Sequence, residues 1–193
     1  MGNREDLLAG AKRCLMEKGY AATTARDIAA ASGTSLASIG YHFRSTKALL
    51  DAALIEAMAD WGKEIEQVLA VTPAGATPRE RFEAIWSGII DSYARIRPLW
   101  AIQFELIAQM DRMPDVRAAF ATANRQGRLG LAALFGLHPT TDEKTSLAVG
   151  AFHQALLAGM ATQWLVDPTQ TLSASDLTEA LRTVATGLNE SPS

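Results

Sequence analysis

Apolar residues recur along this chain at spacings of three and four, the period of an α-helix, and long alternating stretches that would mark strands are absent. A first helix is predicted over residues 4–18, where Leu7, Leu8, Ala11, Cys14 and Leu15 fall at helical spacing and Gly19 supplies a C-terminal stop. A second is predicted over 25–32, with Ile28 and Ala29 pointing inward. Thr24 stands where an N-cap belongs, and Asp27 three residues later completes an acidic capping box. Gly33 ends this helix, and Ser35 is placed to cap a third over 36–43, where Leu36, Ile39 and Phe43 share one face.

The remaining helices are longer. One is predicted over 46–70, with Leu50, Leu54, Trp61, Ile65 and Val68 along it. At 1.5 Å per residue it runs roughly 36 Å, enough to link two parts of a molecule. The stretch Val71 to Pro78 has the composition of a linker. Five more helices are predicted over 79–96, 99–111, 115–136, 142–166 and 174–189. Pro98, Met113-Pro114, the Gly136 to Pro139 segment and Asp167-Pro168 divide them, and the tail from Glu190 to Ser193 is expected to fray. The expected fold is all-α, with about nine helices. The expected domains are a three-helix head over 1–50 and a helical body over 51–193.

Residues 24–43 form a short helix, a turn on Gly33 and a second short helix. Glycine can take the left-handed backbone conformation that such a turn commonly needs. With Leu36, Ile39 and Phe43 turned inward, Ala37, Ser38, Gly40, Tyr41 and His42 are left outside. Small residues let the helix axis approach a surface closely, and the hydroxyls, phenol and imidazole can bond phosphate oxygens or base edges. Thr34 and Ser35 add free backbone N–H groups at a helix N-terminus, where phosphate is favoured.

The net charge of −3 argues mildly against DNA binding until it is divided along the chain. Residues 1–50 hold seven Lys and Arg against four acids, a balance of +3, and the remainder carries −6. A basic head on an acidic body is the pattern expected if only the head approaches phosphate. No apolar run is long enough to span a membrane, and no secretion signal precedes the first helix. With one cysteine, Cys14, no intrachain disulfide can form, which fits a cytoplasmic protein.

From about residue 4 to 55 the chain resembles the DNA-binding domain of the tetracycline-repressor (TetR) family. The resemblance rests on Gly19-Tyr20, Thr24 through Ile28-Ala29, Gly33, the block Ser38-Ile39-Gly40-Tyr41-His42-Phe43, and Ala48-Leu49-Leu50. It implies a helix-turn-helix head whose third helix enters the major groove of a duplex DNA operator. It also implies an all-α C-terminal domain that makes a homodimer and binds a small-molecule effector, and a usual role as repressor. The candidate DNA-binding residues are Thr24, Thr34, Ser35, Ala37, Ser38, Gly40, Tyr41, His42, Thr46 and Lys47. The family usually places a lysine at the position of Thr46, where it holds a phosphate. Here the lysine is the next residue, so that contact falls either to Lys47 or to the Thr46 hydroxyl.

Other chemistry finds little support. His42, His138 and His153 have no metal-ligand spacing, and neither a phosphate-binding glycine loop nor a nucleophile elbow is present. The expectation is a binding protein without catalytic residues, cofactor or metal. The body is rich in aromatics, as the wall of an apolar effector pocket would be. Trp86, Tyr93, Trp100, Phe104 and Phe152 are its candidate lining, with Gln103 and His153 as orienting polar groups. The helix over 142–166 has a stripe of small residues and is apolar on two sides, so it needs cover on two sides. Ala151, Ala155, Gly159 and Thr162, with Leu177, Leu181, Val184 and Leu188 of the last helix, are the candidate dimer interface. The competing class is a helical small-molecule-binding or catalytic protein that does not engage DNA. Salt-sensitive retention on duplex DNA separates the two.

Overall fold

Side chains that bond nearby backbone fix the starts of the second and third helices. The computed structural model describes residues 4–70, 75–112, 114–136, 138 and 140–189. Part of the expected 71–78 linker, Met113, Leu137 and Pro139 at two expected breaks, and the 190–193 tail lie outside them. Helix α1 is Arg4–Lys18, α2 Ala25–Ser32 and α3 Leu36–Phe43. Thr24 and Asp27 form the expected capping box at the start of α2, and Gly33 closes that helix in the left-handed conformation with φ +66°. Ser35 caps α3, its side chain accepting from the Ser38 N–H. Gly10 lets α1 meet the end of α2, since a Cβ there would stand 2.8 Å from the Ser32 Cβ.

The longer helices are α4 Thr46–Ala70, α5 Pro78–Gln109, α6 Pro114–Leu134, α7 Glu143–Val166 and α8 Ala174–Asn189. Among the described residues the fold is all-helical. One expectation is corrected: Pro98 does not divide two helices, because α5 runs through it. A proline inside a helix removes the N–H that would reach the carbonyl four residues back. That carbonyl belongs to Ala94, an exposed residue, so water can replace the lost donor. Ile96, Leu99, Trp100 and Ile102 are buried on both sides of the proline and hold the helix together. Among the described residues the expected nine helices therefore become eight α-helices.

Contacts gather the chain into two units, one of Met1–Gly62 with Arg95–Asn124 and one of Lys63–Ala94 with Arg125–Ser193. In the first, here called the head unit, Leu7, Leu15, Ile28, Leu49 and Leu54 are fully buried. Cys14 is buried too, and burial pushes its thiol up from the ordinary range. In the second, the body unit, Ile85, Trp86, Ile89 and Tyr93 are buried along α5, Leu157, Met160 and Ala161 along α7, and Leu177 on α8. Here α7 touches α6 backbone to backbone, because a Cβ on Gly150 would lie 1.9 Å from the Arg128 carbonyl oxygen. Among the described residues no helix is long and apolar enough to cross a membrane.

Candidate nucleic-acid interface

Helix α3 is anchored on one side and bare on the other. Ile39 and Phe43 are buried, and Ala37, Gly40 and Tyr41 face outward. Tyr41 is 85% exposed, and its ring meets the edge of His42 at 4.9 Å. Nothing lies within 4 Å of where a Gly40 Cβ would stand. The hydroxyls around the turn are tied to one another, Ser32 to Thr34 at 2.7 Å and Ser35 to Ser38 at 3.0 Å. The expectation that Leu36 turns inward is corrected, since it is 51% exposed. Its spacing aligns it with Ile39 and Phe43, but it sits in the first turn, where spacing does not tell how far the neighbouring helices extend.

The start of α4 continues this surface. Ser45 accepts from the Ala48 N–H at 3.1 Å. Lys47 donates to Asp51 Oδ2 at 3.0 Å, and the Tyr20 hydroxyl donates to Asp51 Oδ1 at 2.6 Å. Burial and the Asp51 hydrogen bond raise the Tyr20 hydroxyl well above its usual range, so it stays a donor. Further along α4, Lys12 reaches back from α1 to Asp60 at 2.7 Å and Glu56 at 2.8 Å. Those two hydrogen bonds, Asp60 first, raise its ammonium above the ordinary value. The Lys18 ammonium and the Thr24 hydroxyl hold the Asp27 carboxyl far below its usual range. Arg4 lies over the Phe43 ring at 5.0 Å.

Of the expected DNA-binding residues, seven stand on α3 and its lead-in, and Thr46 and Lys47 at the start of α4. Thr46 is half-buried, and Lys47 is exposed with its amine on Asp51. Thr24 is exposed at the start of α2, its hydroxyl donating to Asp27. Three neighbours escaped sequence reading. Leu36 is one, and the exposed pair Arg44 and Ser45 between the two helices are the others. Arg44 has φ +66°, which side chains other than glycine rarely adopt. The cue in the sequence was its place just past the end of α3, where a left-handed residue is common.

Residues 7–53, which include this whole surface, match the family model of the bacterial regulatory proteins of the tetR family. The match covers this segment and not the rest of the chain. Similar folds extend well beyond the tetR-type segment. A TetR transcription regulator from Haloarcula marismortui is 20% identical, with 94% of each chain covered and a TM-score of 0.61. A transcriptional regulator from Rhodococcus sp. Rha1 is 18% identical over 93% of this chain and 91% of that one, at a TM-score of 0.60. The multidrug binding protein EbrR, in complex with imidazole, is 25% identical over 98% of this chain and 96% of that one, at 0.59. No curated protein matches the chain.

The expected pocket residues fall into two groups. In the head unit Trp100 stacks on Phe104 at 5.8 Å and meets the Trp61 edge at 5.7 Å. Gln103 Oε1 is buried without a hydrogen-bond partner among the described residues. In the body unit Trp86 and His153 both pack on Phe82 and Phe135. The Tyr93 hydroxyl reaches the Leu157 carbonyl at 3.4 Å, and burial raises it above its usual range. Burial pulls the His153 imidazole down to about 4, so it is neutral at pH 7. Phe152 meets the His153 edge but is half-exposed.

Phe152 shares the outer face of α7 with Ala155, Gly159, Thr162 and Val166, all exposed at spacings of three and four, and Ala151 is half-buried beside them. On α8 Leu177 is buried, Leu181 half-buried, and Val184 and Leu188 are exposed. Phe152, expected in the pocket lining, is turned outward with Ala155 and Gly159.

Proposed function

We propose that the protein is a ligand-responsive transcriptional regulator that binds duplex DNA through α3 and represses from a palindromic operator. The outward face of α3 carries this reading. Ala37, Gly40 and the 85% exposed Tyr41 stand on a short helix whose caps and buried side already have partners, leaving the face for a ligand as broad as the major groove. Thr34, Ser35, Ser38, Tyr41 and His42, with Thr46 or Lys47 at the start of α4, are the proposed DNA contacts. The protein acts by binding, without catalytic chemistry or cofactor, and works in the cytoplasm.

Two heads are needed to read a palindrome, and the exposed apolar faces of α7 and α8 supply a self-complementary patch. Phe152, Ala155, Gly159, Val184 and Leu188 would be covered in that homodimer. The effector is a small hydrophobic molecule, in keeping with the similarity to EbrR, a multidrug binding protein. An effector releases DNA only if it binds the DNA-incompetent conformation more tightly, and coupling of about 1–3 kcal/mol weakens operator binding roughly 5- to 150-fold.

Footprinting on the DNA upstream of its own gene tests the reading. The expected result is protection of a palindrome, with half-sites about 34–36 Å apart or a comparable helical repeat, and steep loss of affinity as salt rises. Ala155→Arg is expected to give monomers by sedimentation and to remove specific binding. A wild type that sediments as a monomer at micromolar concentration removes the dimer from the proposal.

A further inference from the structure

In the body unit a cleft of about 480 Å³ opens between the start of α5 and the end of α6. Phe82, Ile85, Leu134, Phe135 and Arg81 line it. That volume is in the range of small-molecule sites. Its two phenyl rings are also the neighbours of two buried polar side chains. Phe135 lies parallel to the His153 ring at 3.8 Å with 5° between planes, and 5.9 Å from Trp86. Phe82 stands 6.2 Å from Trp86 and 6.3 Å from His153.

Trp86 Nε1 and His153 Nδ1 are buried and have no hydrogen-bond partner among the described residues. Buried polar atoms in native proteins nearly always have a partner, so two orphans against one wall mark a place where an incoming group gains most. Phe135 follows the last residue of α6 and precedes Gly136, which turns the chain with φ +86°. Its ring is therefore set on a turn rather than on the helix. The charge around the cleft is one-sided. Arg81 is the only charged residue among the described lining, is exposed, and has no ion-pair partner among the described residues.

We infer that this cleft binds a planar aromatic carboxylate, whose ring takes the seat that Phe135 holds against His153 and whose carboxylate pairs with Arg81. The parallel stack on His153 sets the flatness of the ligand. The single guanidinium sets its charge as negative and disfavours a cation. This names the effector class of the regulator proposed above, and rests on that reading for its effect on DNA.

Calorimetry on the full chain tests the site with three probes of one shape: 2-naphthoate, 2-naphthalenemethanol and 2-naphthylmethylammonium. Naphthoate is expected to bind at least about 10-fold tighter than the other two, the scale of a charge-assisted hydrogen bond to arginine. Arg81→Gln, at an exposed position, should bring the three within a few-fold of one another. Phe135→Ala, which empties the seat, should bind naphthoate more tightly than the wild type. Equal binding of the three probes, no binding of any, or an acid preference that survives in Arg81→Gln overturns the assignment. The same titrations against a footprinted DNA fragment separate the two readings. Intact DNA binding without naphthoate binding sinks the site alone. The expected naphthoate preferences with unchanged DNA affinity support the site and sink effector release.

Discussion

Across residues 4–62, polar side chains answer one another. Thr24 bonds Asp27, Ser35 bonds Ser38, Asp51 receives both Tyr20 and Lys47, and Lys12 spans Glu56 and Asp60. Around Phe135 in the body the opposite holds, where an indole N–H and an imidazole nitrogen are buried beside phenyl rings without a partner among the described residues. A satisfied network holds a surface in one geometry, which suits a rigid reader of DNA. Unsatisfied groups beside an open cleft leave binding energy available to a ligand.

Asp51→Ala should disturb the molecule most. It strips two part-buried hydrogen bonds from one carboxylate and strands the Tyr20 hydroxyl, a loss of about 2 kcal/mol by urea unfolding. A loss under about 0.5 kcal/mol, the size of an ordinary surface change, would show that the network does not brace the head. Gly150→Ala comes next, because the new methyl meets the Arg128 carbonyl at 1.9 Å. Helices α6 and α7 must separate, at a cost of about 2 kcal/mol.

His153→Phe tests the other side of the comparison. It removes an orphan nitrogen and keeps the stack on Phe135, so at pH 7.5 stability should stay within about 1 kcal/mol of wild type or rise. The wild-type imidazole is held down to about 4 from an ordinary 6.5. The unfolded chain takes up that proton first as pH falls, so this group costs stability progressively from about pH 6.5 to 4 and has no effect above. The variant should lack that part of the decline in urea midpoint between pH 7.5 and 5.5. An unchanged decline would mean that His153 does not carry it.

Tyr41→Ala should change stability least, within about 0.5 kcal/mol, because the side chain is mostly in water. Its DNA affinity should nevertheless fall about 10-fold, the scale of one lost contact. Full affinity in a folded Tyr41→Ala, His42→Ala variant would remove these residues from the interface.

The head was legible because its signals are local. Thr24 and Asp27 are three residues apart, Ser35 and Ser38 likewise, and Gly33 sits between the helices it separates. Where tertiary packing decides, the sequence misled. Buried neighbours carry α5 through Pro98, and Leu36 faces water although its period points inward. The cluster around Phe135 was half legible. Trp86 and His153 stood out as candidates, but Phe135 lies past the helix end, outside any periodic pattern, and its partner is eighteen residues away.

Cys14 has a practical consequence. The chain holds one thiol, and it is buried on the inner face of α1 with its ionisation disfavoured. Thiol reagents act through the thiolate, so the native protein offers them little to react with. A single cysteine introduced at exposed Ala30 on α2 could then carry a spin or fluorescent label alone, with no background from the rest of the chain. In a symmetric pair that gives one label per head and one distance between them, a ruler for following the heads in solution as DNA or effector is added.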